Sequence, residues 1–376
     1  MPAPRTVILN ALYLAPGASG GPETYLRGLA PALAREFPGL GITVATTRSG
    51  ARALRAAGWA DFATLREFPC EDGERARRQW AEQILLPRAA RAAHAELVHS
   101  LASIAPVLAG TRSVVTVHDV TFLVRPTFGR LTTWGMGLLV GAAARHADGL
   151  ITSTVAAREE ICSVLRVSPS AFTVVPLGHE PTHRVEPIAE RELRDRYGLG
   201  ESRVVLCVAA IRPHKNQGLL IEAAGQLAPD VTVLLAGHTE PYELELRGLA
   251  RERGLQERIR FAGYVSDEEL EGLWRLCSCA AFPTLGEGFG IPVLEALARG
   301  VPVACSGIPV LREVGGELPH YFDPHDPTSA AKAILAALVD TRTAREGPEH
   351  AARFTWAAAA RGTHEAYEHA IAGPLR

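Results

Sequence analysis

RVVLCVAAIRPHKNQGLLIEA, residues 203 to 223, reads as one strand, one loop and the start of one helix. Arg203–Ala209 is nearly unbroken in apolar residues, as a strand buried on both faces should be. From Asn216 to Leu227 the apolar spacing turns helical. Between them stand Arg212 and Lys215, two cations just ahead of a helix N-terminus. That end of a helix carries positive potential and prefers anions. The placement makes physical sense if an anion sits between the cations; a solvated loop is the plainer reading.

The same unit repeats in both directions. Upstream, strands are expected at Thr6–Leu12, Ile42–Thr46, Leu97–Ser100, Val114–His118, Leu150–Ser153 and Thr173–Pro176. Helices are expected at Glu23–Glu36, Gln79–Ala95, Leu131–His146 and Val155–Leu165. Downstream, strands are expected at Val231–Ala236, Ile259–Ala262, Ala280–Pro283 and Val301–Cys305, alternating with helices at Tyr242–Arg253, Asp267–Leu276, Pro292–Arg299 and Pro327–Leu338. Alternation of this kind implies βαβ units and parallel sheets, an α/β chain. The polar, aperiodic stretch GHEPTHRVEP, residues 178 to 187, interrupts it and reads as a linker. Two Rossmann-like, doubly wound domains facing across a cleft are the simplest account, with boundaries at 1–180 and 181–354. Ligands in such sheets bind beyond the carboxyl ends of the strands, so the chemistry belongs in the strand-to-helix loops.

Composition narrows the function. The 376 residues are 47% hydrophobic with a formal net charge of -2, which gives no reason to expect nucleic-acid binding. Six scattered cysteines, including the lone pair Cys277 and Cys279, read as reduced thiols rather than a metal site. The N-terminus runs straight into a strand, and no apolar stretch reaches membrane-span length, so a cytoplasmic location is expected. The basic stretch RARRQWAEQILLPRAAR, residues 75 to 91, reads as a solvated arginine face over a core stripe; contact with a membrane is the less favoured alternative.

Three further loops stand out. LAPGASGGPETYL, residues 14 to 26, follows the first strand and opens a helix; Gly20 and Gly21 would let backbone N–H groups approach an anion, or simply make a turn. His118 and Asp119 end a strand at the carboxyl edge, as a capped strand end or as site residues. PTLGEGFGIPVLEALARG, residues 283 to 300, places Glu287 and Glu295 seven residues apart around a glycine-rich helix start, with Pro292 suited to the first turn. Glu295 and Arg299 have the spacing of a helical ion pair, and Glu287 taken alone reads as an exposed carboxylate.

Taken together these stretches resemble glycosyltransferase family 4, retaining enzymes of the GT-B fold. The resemblance spans nearly the whole chain and is most specific at EGFGIPVLE, which matches the family's E-x7-E motif; TSTVAAREEI (152–161) and FTVVPLG (172–178) also look like family 4 sequence. It implies roles. Glu295 would bind ribose hydroxyls, and Glu287 hydroxyls of the transferred sugar. Arg212 and Lys215 would hold a diphosphate, helped by backbone N–H groups of Gly288, Phe289, Gly290 and Ile291, with Gly20 and Gly21 closing over it. His118 would contact the donor sugar, and Gly263, Tyr264 and Val265 the base. The last helix, 355–376, would pack back on the N-terminal, acceptor-side domain.

The resemblance further implies a nucleoside-diphosphate sugar donor, GDP-mannose-like or a dTDP- or UDP-sugar, and a carbohydrate, natural-product or lipid-linked acceptor. No D-x-D occurs in the sequence, so the two cations are expected to replace a metal, and no cofactor is implied. A sugar-nucleotide 2-epimerase of the same fold, and a catalytically silent homologue, are the competing readings.

Overall fold

The computed structural model describes residues 4–17, 20–107, 110–125, 129–179 and 185–373. It divides into two compact units, Met1–Gly178 with Phe354–Arg376, and His179–Arg353. Half of the stretch read as a linker, residues 180 to 184, lies outside the described residues.

The first unit is built on a parallel sheet of seven strands: β1 (Thr6–Asn10), β2 (Gly41–Thr46), β3 (Thr64–Glu67), β4 (Leu97–Ser100), β5 (Arg112–Thr116), β6 (Gly149–Thr152) and β7 (Phe172–Val174). Their spatial order is β3-β2-β1-β4-β5-β6-β7. The chain winds outward one way from β1 and the other way from β4, so the order reverses between those two strands. The second unit carries six parallel strands: β8 (Arg203–Val208), β9 (Val231–Ala236), β10 (Ile259–Gly263), β11 (Cys279–Phe282), β12 (Val303–Ser306) and β13 (His320–Phe322). Their order, β10-β9-β8-β11-β12-β13, reverses between β8 and β11. A crevice at such a reversal is where doubly wound sheets place ligands.

Burial on both faces explains the apolar runs. Val205, Cys207, Val233, Leu235, Cys279 and Ala281 enter one core of the second unit; their neighbours Val204, Leu206, Leu234, Ala236, Ala280 and Phe282 enter the other. Successive side chains point to opposite faces, and both faces are covered by helices.

Several expectations need correction. Edge strands β3 and β13 went unread because they are short, and in β3 no side chain is buried. The expected helix Gln79–Ala95 is three pieces, Arg75–Trp80, a π turn over Ala81–Leu85, and Leu86–Ala92. Helices Arg48–Ala56, Glu190–Tyr197, Pro309–Gly315 and Arg342–Ala351 were also unread. Glu190–Tyr197 shows why: ERELRDRY buries only Leu193, so it has almost no apolar period. Strand β5 stops at Thr116, which leaves His118 in the following loop rather than on the strand.

The helix Trp356–Ala372 belongs to the first unit and lies against Gly21–Glu36, β5 and β6. A Cβ at Gly28 would stand 2.0 Å from the Trp356 ring, so only glycine allows this approach. Phe37 stacks on His364 at 3.8 Å, and Arg361 pairs with Glu36 at 2.6 Å.

Candidate active site

In the second unit, the loops that follow β8 and β11 meet at the reversal point. After β8 the chain runs extended through Arg212, makes one tight turn over Pro213–Lys215 and enters the left-handed region at Asn216, φ +58°. The Asn216 amide donates to the carbonyls of Pro283 (3.1 Å) and Pro324 (2.9 Å). Leu285 N–H and the Thr284 hydroxyl both donate to the His214 carbonyl, at 2.8 and 3.2 Å. These bonds fix Lys215 beside Glu287, and the two side chains form an ion pair that is about four-fifths buried on each side.

Three residues further on, Gly290 caps the helix Ile291–Ala298 at φ +93°. Its missing Cβ is required twice, by that angle and because a Cβ would lie 2.4 Å from Leu311 Cδ2. Pro292 sits in the first turn, so the start of the helix is compact and its dipole is directed at the loop that carries Glu287.

The surroundings of the other residues differ in part from the sequence reading. Arg212 does not share Glu287; its guanidinium donates to Glu240 at 2.9 and 3.1 Å. Arg299 does not pair with the Glu295 carboxylate either. It binds Glu271 through two bonds of 2.9 and 2.7 Å and donates to the Glu295 backbone carbonyl. The ion-pair reading of Glu295 is therefore wrong, because the buried Glu271 takes the guanidinium. Glu295 itself is half-buried in the first turns of its helix.

Gly263 closes β10 in the left-handed region, Val265 turns into the core, and Tyr264 is exposed. Tyr264 stacks on His238, 4.6 Å between ring centres, so the ends of β9 and β10 present an aromatic pair. His238 and Glu240 were missed in the sequence. Each takes its place only through a partner on another loop, and no local pattern announces it.

In the first unit, Gly20 caps the helix Gly21–Glu36 at φ +58°. Among the described residues, no atom lies within 4 Å of where a Cβ would stand on Gly20 or Gly21. Part of this loop, residues 18 and 19, lies outside the described residues. Buried Glu23 ties the loop to its helix by accepting from Gly17 N–H (2.9 Å) and Arg27 (2.8 Å).

His118 donates from Nε2 to the Leu101 carbonyl at 3.0 Å, which leaves Nδ1 as the acceptor of a neutral ring. Burial holds its pKa below the usual histidine range, against the opposing pull of Asp119. Tyr25 meets the ring edge-on at 4.9 Å. Tyr25, Thr116, His99 and Tyr367 form a buried hydrogen-bonded chain, in which burial pushes His99 down to about 3.

A cavity of about 440 Å³ lies at the opposite, amino end of β1, β2 and β3, against Thr6, Gly41 and Thr64. It is at the wrong edge for a doubly wound ligand site.

Two family models divide the chain. Residues 19–183 match Glycosyltransferase Family 4, and residues 189–358 match Glycosyl transferases group 1. The O-antigen chain mannosyltransferase B of Escherichia coli is 30% identical over 271 residues, 68% of this chain and 70% of that one. The chain belongs to glycosyltransferase family 4. The serotype-specific mannosyltransferase WbdA of Escherichia coli is 32% identical over 229 residues, but the match spans only 28% of WbdA's length. Among solved structures, Anabaena HepE in complex with UDP and glucose superposes with a TM-score of 0.75 at 21% identity, covering 96% of this chain and 98% of that one. Sucrose-phosphate synthase from Thermosynechococcus elongatus gives 0.74 at 20%, covering 97% and 98%. The fold of this family 4 chain is thus GT-B. Among the described residues, no helix is long and apolar enough to cross a membrane.

Proposed function

We propose that this protein is a retaining hexosyltransferase that moves a sugar from a nucleoside diphosphate to an acceptor hydroxyl without a metal ion. The observation that carries the proposal is Lys215, locked beside Glu287 at the start of the Ile291–Ala298 helix. A buried cation next to a helix N-terminus is stable only with negative charge close by. Glu287 supplies that charge in the ligand-free protein; a bound diphosphate supplies more of it. Lys215, Arg212 and the N–H groups about Gly288, Phe289, Gly290 and Ile291 then stabilise charge on the departing phosphate.

Other roles follow the family resemblance. Glu295 accepts from ribose hydroxyls, and Glu287, released from Lys215, from the transferred sugar. The exposed Tyr264, backed by His238, offers a face to the base. His118 Nδ1 accepts from a sugar hydroxyl, and Gly20 and Gly21 leave room for phosphate. The first unit serves the acceptor and the second the nucleotide sugar. Mannosyltransferases among the relatives favour a GDP-mannose donor over a dTDP- or UDP-sugar, and a cytoplasmic site of action suits such donors.

The test is donor turnover. GDP-mannose, UDP-glucose and dTDP-glucose are offered with a pool of carbohydrate acceptors, with and without a strong chelator. One donor should yield a glycoside of unchanged anomeric configuration in both conditions. Loss of activity with chelator, restored by magnesium, would refute the metal-free reading; an inverted product would refute retention. A donor sugar isomerised without acceptor would identify an epimerase instead.

A further inference from the structure

The reversal point of the first unit holds a carboxylate that the roles above leave unused. Asn10 and Ser100 end β1 and β4 and face each other in register. On the same side of the sheet, Ile8, Val98, Ala81, Leu86 and Ala90 form an apolar cluster. Over the polar end of this face lies Glu82, only 7% exposed. Its Oε1 accepts from the Asn10 amide at 2.6 Å, and the same amide donates to Ser100 Oγ at 3.1 Å. Among the described residues no hydrogen bond to Oε2 and no ion pair of the carboxylate is found; Arg78 acts on it only at longer range.

Local backbone geometry delivers this side chain. Leu86 N–H bonds the carbonyl of Ala81, five residues back, so the helix carries one wide turn at Glu82. Such turns concentrate at functional sites. The next residue, Gln83, clamps the loop after β4 from both sides: its amide donates to the Ala105 carbonyl (2.9 Å) and its oxygen accepts from Val107 N–H (3.0 Å). The same loop contains Leu101, whose carbonyl holds His118. The helix turn that carries Glu82 and the residue assigned to the donor sugar are therefore both hydrogen-bonded to the loop after β4.

Resting on the transferase reading, we infer that Glu82 binds the acceptor, its open Oε2 accepting hydrogen bonds from hydroxyls of a neutral polyol at the β1–β4 crevice. A nearly buried carboxylate held by one amide, with Arg78 acting on it only at longer range, is costly to fold around, and a hydroxyl donor on Oε2 is the partner that offsets it. Burial also raises the Glu82 pKa to about 7, so its charge state responds to such a donor.

The test uses the full chain saturated with GDP or UDP, and two probes with vicinal hydroxyls, methyl α-D-mannopyranoside and myo-inositol, titrated by NMR. Glu82→Gln keeps the shape and the Asn10 contact but loses the charge. At least one probe should bind the wild type. Glu82→Gln should weaken it tenfold or more, with the thermal midpoint not lowered and the nucleotide affinity unchanged, and Glu82→Asp should retain part of the binding. Equal probe affinity in wild type and Glu82→Gln would overturn the assignment, as would failure of both probes on a wild type that binds nucleotide. Probe binding that depends on Glu82 in a chain that binds neither GDP nor UDP would support the polyol site and refute the donor reading.

Discussion

Charged residues in this protein are defined by their partners more than by their neighbours in sequence. Glu287 and Glu295 were legible as a pair because a glycine-rich helix start needs few residues to specify it. Their surroundings were not: Lys215 reaches Glu287 across 72 positions, and Glu271 takes Arg299 from Glu295 across 28. Glu82 was hidden altogether in a stretch that reads as a basic helix. Its pKa, raised from 4.5 to about 7 by burial, has a definite consequence. The folded state binds the proton more tightly than the unfolded chain, so the group's relative stabilisation is present below pH 4.5 and is lost as pH rises through 7. At 1.36 kcal/mol per unit the loss is about 3 kcal/mol. Glu82→Gln, which does not titrate, should therefore gain stability over the wild type between pH 5 and pH 8. Urea unfolding at both values measures this. A difference that is the same at pH 5 and pH 8 would mean that the carboxylate titrates normally.

Elements were legible where the apolar period was strong and both faces of a strand were buried, as in β8 and β9. They were illegible in the short edge strands β3 and β13 and in the polar helix Glu190–Tyr197, where burial gives little period to read. Loop geometry was visible only through glycine. Gly290 marks the start of the Ile291–Ala298 helix in the sequence, and the structure shows why no other residue serves there. Gly290→Ala meets Leu311 at 2.4 Å and forces an L residue to φ +93°. The expected cost is about 1–3 kcal/mol, read as a lower urea midpoint with unchanged slope. The distorted helix start should also weaken nucleotide binding. Wild-type stability in Gly290→Ala would show that the helix start is not fixed by this contact.

At the scale of the whole molecule, strand-and-helix alternation revealed two doubly wound units. The return of the C-terminal helix came from family resemblance, since its contacts, Trp356 over Gly28 and Tyr367 on His99, join residues hundreds of positions apart. The two units share one design, a sheet whose strand order reverses once with polar side chains gathered at the reversal. In the second unit that point is assigned to the diphosphate, and in the first to the acceptor. The central claim is the diphosphate site. Calorimetric titration of GDP and UDP into wild type, Lys215→Ala, Glu295→Ala and Glu287→Ala tests it most directly. One nucleotide should bind the wild type, about tenfold or more weaker in Lys215→Ala and Glu295→Ala, which lose charge-assisted contacts. Glu287→Ala should hold it at least as tightly as wild type, because the carboxylate competing for Lys215 is gone. Absence of binding by both nucleotides, or a Lys215→Ala isotherm that matches wild type, would contradict the account.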